Sequence, residues 1–275
     1  MEVHTRASSF FPPGFLKYLK RLLVCAATIF FSSCEGFFQN IYDYPPTEVK
    51  EKAGQLIIDA SSWDDWYYLD FKALHDSLQR SEQYHPSSAI VKYSIPTEES
   101  GGASLADSIG ANGIYMYWFD VFGAGITNRT FLQFIPTREQ EEPSKWSVAF
   151  HRNNVRTNGA SVFETDYSQT EDLPESSSFF SEKPFVEDEW SETDVWVLRN
   201  QMLNGIIGNQ GIKVNRTLSK WLTVEIPPMP PTFVLNNHIF ILRLSDGTYA
   251  ALQLENYQNE MGVKCILTIN YIYPY

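Results

Sequence analysis

After residue 54 the chain is a succession of short apolar and aromatic runs, each closed by Gly, Pro, Asn, Asp or Ser. This punctuation predicts strand after strand rather than long helices. The C-terminal third is clearest. Ile239–Leu244 is followed by Ser245, Asp246 and Gly247, and then by Tyr249–Tyr257. Asp-Gly between β-rich runs predicts a hairpin, because Gly takes positive φ at no steric cost. Asn259–Gly262 then leads into Val263–Tyr273, which completes a predicted three-stranded meander. Upstream, Gln55–Asp59, Trp63–Phe71 and Ile90–Ile95 predict strands, the last ended by Pro96. Gly113–Gly123 predicts an aromatic strand bounded by glycines, after a Glu-, Ser- and Gly-rich loop over 97–112. Trp146–His151 and Val155–Thr157 are separated by Asn153 and Asn154, which predict a turn. Helical pattern is confined to 73–81 and 195–203, with room for two turns each. No internal repeat or heptad is present.

Composition sharpens this picture toward an all-β domain. The 275 residues are 43% hydrophobic and 15% aromatic, which is ample for a packed core. Large flat rings suit half-buried pleated surfaces, so this aromatic content favours sheet. No strong linker interrupts 54–275, which therefore reads as one domain. The net charge is −12. Residues 1–33 hold four basic side chains and one acid, a net +3, so a chain beginning at Cys34 carries −15. Such a surface repels phosphate backbones, and no basic stripe interleaved with aromatics offsets it; no nucleic-acid partner is expected.

The first 33 residues read as an export leader. Lys17, Lys20 and Arg21 precede the apolar run Leu22–Phe31. That run is half the length of a membrane-spanning helix, about 20 residues, and suits the hydrophobic region of a signal peptide. Ser33 before Cys34 resembles a bacterial lipobox, in which the cysteine thiol carries diacylglycerol. Residues 34–53 then form a lipidated N-terminus and tether, broken by Pro45 and Pro46. The alternative is ordinary cleavage near Ser33, which leaves a secreted chain without a lipid. Of three cysteines, Cys25 leaves with the leader and Cys34 takes the lipid. Cys265 alone remains, so there is no disulfide framework, and its alternating context makes it a small core residue.

Catalytic motifs are missing. The chain has no phosphate-binding glycine loop, no dinucleotide fingerprint and no serine nucleophile elbow. His4, His75, His85, His151 and His238 are scattered, and none pairs at metal-ligand spacing. The acids of Glu187–Glu192 imitate an acid/base pair, but a charge run of this kind is usually a solvated face. A hydrolase using them requires a cleft lined by two of these carboxylates.

Several segments resemble the HmuY family of haem-binding lipoproteins. Trp146–Gly159 (WSVAFHRNNVRTNG) is similar to that family's W-D-x-A-F-x-R…D-x-R-T-N-x-G signature, with Ser147 in place of the acid. Ile239–Ala250 resembles its strand–Asp-Gly–strand element, and Ile266–Tyr273 its closing strand. Gly113–Asp120 fits the family's aromatic strand less specifically. The likeness runs in order over 54–275.

This resemblance implies a single hand-shaped antiparallel β domain with few short helices, which clamps haem between two axial ligands, His or Met. It implies capture of haem, or of haem from a host haem protein, at the outer membrane, for delivery to an outer-membrane haem transporter. The ligands fall between the His-Arg signature and the C-terminal hairpin. In 160–237 the chain has no histidine and two methionines, Met202 and Met229. Met202 precedes Gly205, and Met229 stands among four prolines that hold its loop extended. Thioether sulfur is soft and favours ferrous iron. Either methionine is alternatively plain core filler. His151 reads as structural, satisfying a buried hydrogen bond, and His238 is a weaker substitute ligand. Phe179, Phe180, Trp190, Trp196 and Trp221 are candidates to stack on a porphyrin; Arg152, Arg156, Arg199 and Lys213 are candidates to hold its propionates. The competing reading is an adhesin-like lipoprotein of the same fold that binds glycan or another apolar ligand.

Overall fold

The computed structural model describes residues 52–81, 84–99, 113–120, 122–128, 130–226 and 230–275. Among them the strands pair antiparallel throughout and fall into four sheets, with only short helices between. The fold is all-β, as the aromatic content and turn punctuation predict.

The largest sheet orders Gln55–Asp59, Lys264–Ile272, Tyr249–Gln258, Phe240–Arg243, Ser161–Glu164 and Val186–Glu187 side by side. The C-terminal meander lies at its centre, and Gly247 turns the hairpin with φ 85°. One face of this sheet buries Leu242, Leu252, Leu254, Leu267 and Ile269 in the main core. The helix Phe71–Arg80 covers part of that core with Phe71 and Leu74. Asp70 starts this helix by accepting hydrogen bonds from the backbone of Lys72 and Ala73, which satisfies amides that the first turn leaves unpaired.

A second sheet orders Val91–Ser94, Asp65–Leu69, Val148–His151 and Asn154–Thr157. A third places Glu189–Val197 against Ile206–Val214 and that against Ile114–Asp120, which also pairs with Gly125–Ile126 and Leu132–Phe134. A buried hydrogen-bond relay ties these two sheets. Trp66 Nε1 donates to Gln210 Oε1 at 2.8 Å, and Gln210 Nε2 donates to Gln140 Oε1 at 2.9 Å. The fourth sheet is the isolated hairpin Leu222–Glu225 with Thr232–Leu235. Phe233 of this hairpin stacks on Tyr257 at 5.5 Å.

Asp188 fastens the short helix Arg216–Ser219 in place. It accepts from Thr157 N at 2.6 Å, Thr157 Oγ1 at 2.8 Å and Asn215 Nδ2 at 3.1 Å. Burial raises the pKa of this carboxyl despite those bonds. Asn215 in turn caps the helix through Leu218 N.

Two local expectations fail, each for a definable reason. The pattern over 195–203 predicts a helix. Instead Val195 and Val197 end a strand with their side chains buried, Leu198 reverses the chain with φ 59°, and Arg199–Asn204 forms a 3-10 turn. The turn after His151 is made by Arg152 and Asn153, not by Asn153 and Asn154. Asn154 already belongs to the return strand, paired with His151, and its side chain donates to Asp194 O at 2.8 Å. Cys265 is a free thiol, fully buried, as its alternating context predicts.

Candidate functional site

A cavity of about 790 Å³ opens where segments far apart in sequence converge. That volume is within the range of ligand pockets, roughly 300–1,000 Å³. One wall is Ser61 and Trp63 with the His151–Asn154 turn. A second is Thr193, Asp194 and Trp196, continued by Arg199 and Met202 of the 3-10 turn. The short helix gives Arg216, Ser219 and Lys220. The isolated hairpin and its connection give Leu222, Thr223, Val224, Ile226, Pro231 and Phe233, and Val263 and Lys264 line the cavity where the strand Lys264–Ile272 begins.

The aromatic side is ordered by stacking. Trp63 and Trp196 lie 6.1 Å apart, and Phe119 meets Trp196 edge-on at 5.1 Å. Trp196 is held by its Nε1 donating to Thr193 O at 3.0 Å. The Arg152 guanidinium covers Trp63 at 4.1 Å and donates to Ser61 O at 2.8 Å. Such a cation over a tryptophan face is attracted by the ring quadrupole and fixes both groups.

The charge of the lining opposes that of the chain. Five described cations face the cavity (Arg152, Arg199, Arg216, Lys220 and Lys264) against one carboxylate, Asp194, in a protein of net charge −12. Asp194 is engaged by Arg216 Nε at 3.1 Å, and Arg216 also meets Glu189 at 3.4 Å. Burial lowers the pKa of Arg152, and the Arg199 charge adds to that strain.

His151 also borders the cavity but is spent on structure. It is fully buried, with Nε2 2.9 Å from Trp63 O. Burial is the main reason its pKa falls to about 4, so the ring is neutral near neutral pH. This agrees with the structural reading of the signature histidine.

Of the residues singled out by sequence, the cavity gathers Met202, Trp196, Arg152 and Arg199. Met202 is half-buried on the wall. Met229 and Cys34 lie outside the described residues; Ile226 and Pro231, before and after Met229 in sequence, line the same cavity as Met202. The other candidates sit elsewhere. Trp221 is fully buried and stacks on Phe150, and Phe180 is buried in a separate cluster with Ile239 and Ile241. Phe179 packs edge-on against Phe180, and Trp190 crosses over Gly211; neither borders the cavity. Arg156 covers Trp146 at 4.8 Å and pairs with Glu142 at 3.3 Å. Lys213 is exposed on its strand opposite Trp190. His238 faces Glu164 at 3.0 Å, away from the cavity. The acids of 187–192 are engaged separately: Asp188 is a half-buried bracket, Glu189 meets Arg216, and Glu192 accepts from Trp190 Nε1 at 3.4 Å.

Sequence reasoning misses Trp63, Arg216, Lys220, Phe233 and Lys264. A residue pattern gives no sign of them, since each reaches the cavity only through tertiary folding. The described residues hold no cluster of three metal-ligating side chains. They also hold no helix long and apolar enough to cross a membrane.

Comparison with known proteins places this architecture. No curated protein matches the chain. Among solved structures it is similar to a candidate HmuY-like haem-binding protein of Bacteroides vulgatus ATCC 8482, at 29% identity, 80% of this chain, 91% of that one and a TM-score of 0.51. It is similar to a candidate lipoprotein of Bacteroides fragilis NCTC 9343, at 25% identity, 80% and 89% coverage and a TM-score of 0.53. The fold is shared with the apo HmuY analogue of Tannerella forsythia, at 17% identity, 82% and 97% coverage and a TM-score of 0.53. The model of the HmuY protein family matches residues 62–271, most of the chain and nearly all of its described β domain. The chain belongs to the HmuY family.

Proposed function

We propose that this protein captures haem in the cavity described above and passes it to an outer-membrane haem transporter. Met202 and Met229 are the axial ligands, and a lipid on Cys34 of the exported chain holds the protein at the outer membrane, facing outward. Its role is binding, not catalysis.

The observation that carries this reading is the make-up of one cavity. It joins the Met202 wall to Ile226 and Pro231, which stand before and after Met229 in sequence. The donor set fits a haem. Thioethers suit a soft, ferrous iron. Trp63, Trp196 and Phe233 offer flat apolar surface, and the cations other than Arg216, which Asp194 and Glu189 engage, suit carboxylates at a porphyrin edge. Haem, when bound, supplies the iron and the colour by which binding is read. The residues of this chain supply orientation, apolar cover and charge.

The test is absorbance of the haem-loaded protein with and without dithionite. The wild type gives six-coordinate, low-spin bands that are sharper after reduction. The Met202→Ala/Met229→Ala double variant loses them. If the double variant binds and absorbs like the wild type, the ligand assignment is wrong even where haem binding stands.

A further inference from the structure

Among the described residues, three that are not glycine have positive φ: Arg152 at 53°, Leu198 at 59° and Cys265 at 66°. Left-handed backbone strains an L side chain, and such strain persists only where the surrounding structure holds it. A cation of the cavity wall stands at, or next in sequence to, each of the three. Arg152 is one itself, Arg199 follows Leu198, and Lys264 precedes Cys265.

None of these three cations has an ion-pair partner among the described residues, whereas Arg216 on the same cavity is taken by Asp194 and Glu189. Neutral groups position two of them instead. Arg152 is fixed by Ser61 O and the Trp63 ring. Lys264 donates to Gln258 Oε1 and lies over Phe233 and Tyr257. In a chain with 33 acids, three cations on one cavity wall, one on left-handed backbone and two beside it, none paired with a carboxylate among the described residues, are not an effect of composition. Arg152 and Lys264 are half-buried, and half-buried charge without a counter-charge is costly, a cost that an anionic cargo removes; Arg199 stands exposed beside them.

We infer that Arg152, Arg199 and Lys264 form a preset seat for the carboxylates of the cargo. The cavity thereby selects a flat ring bearing ionised carboxylate side groups over the same ring with those groups esterified. The inference rests on the haem reading and deepens it: the methionines read the iron, and the cations read the ring's edge.

The experiment titrates the full chain, under dithionite, with haemin and with haemin dimethyl ester, following tryptophan quenching and absorbance. This comparison needs no substitution, so folding cannot confuse it. The ester binds about ten- to a hundredfold more weakly, the range expected for losing charge-assisted hydrogen bonds. Arg199→Gln, at an exposed position, narrows the gap between the two ligands, while Met202→Ala weakens both alike and leaves the gap unchanged. Equal affinity for the two ligands, or a gap that Arg199→Gln does not alter, overturns the carboxylate seat and leaves the haem reading intact. A chain that binds neither ligand overturns the haem reading and this inference with it.

Discussion

His151 shows how one side chain couples burial to pH. Its ring is neutral in the folded protein, with a pKa of about 4 against an ordinary value of 6.5, because burial penalises the charged form. Between these values the unfolded chain takes up a proton that the folded chain refuses. Stability from this residue is therefore complete above about pH 6.5 and lost as pH falls toward 4. The raised pKa of Asp188 acts in the opposite sense, adding stability as pH falls. A comparison with His151→Gln isolates the histidine. Denaturation midpoints at pH 7 and pH 5 should separate more for the wild type, with a slope approaching about 1.4 kcal/mol per pH unit in that window. Identical pH dependence in the two proteins would remove His151 from the account.

The same residue measures what the sequence reveals. The structural role of His151 is legible because the histidine lies inside a motif whose strands and turn are predictable. Arg152, its neighbour, was legible as a cation near the site but not as a strained one, because nothing in the residue type marks positive φ. Lys220 and Lys264 were not legible at all, since their place on the cavity comes from pairings across tens to hundreds of residues.

Elements follow the same division. The meander over 239–273 is readable because Asp246 and Gly247 fix the turn and the alternation fixes the faces. The strand Ile206–Val214 is not, because Gly208, Asn209, Gln210 and Gly211 break its apolar pattern. Packing explains both glycines. A Cβ at Gly211 would stand 2.5 Å from Tyr115 Cε2 and 2.9 Å from Trp190 Cζ2, and one at Gly208 would stand 2.8 Å from Leu198 Cδ1. Gly211→Ala should cost about 1–3 kcal/mol by overpacking, measurable by chemical denaturation. An unchanged midpoint would mean that both rings yield freely. The relay between sheets makes a second prediction. Trp66→Phe leaves Gln210 Oε1 buried without its donor, which should cost about 1–3 kcal/mol. Pairing it with Gln210→Leu should recover part of that loss in a double-mutant cycle; strict additivity would show that the two residues act independently.

As a whole the chain is acidic, with a net charge of −12, yet five described cations and one carboxylate line its cavity. The net negative charge repels polyanions, while the cavity concentrates positive charge where a carboxylate-bearing ligand would enter. The proposed attachment by a lipid on Cys34 belongs to this scale as well. A lipid anchors by burying its methylenes, about 0.8 kcal/mol each. Cys34→Ser should shift the exported protein from the detergent phase to the aqueous phase on partitioning. Retention of the variant in detergent would exclude Cys34 as the anchor.

Haem capture itself is most directly tested by titrating the purified full chain with haemin under dithionite and following the Soret band. The account predicts a sharp band that grows to saturation at one haem per chain. A solution that shows only the spectrum of free haem, with no saturation at any ratio, would contradict it.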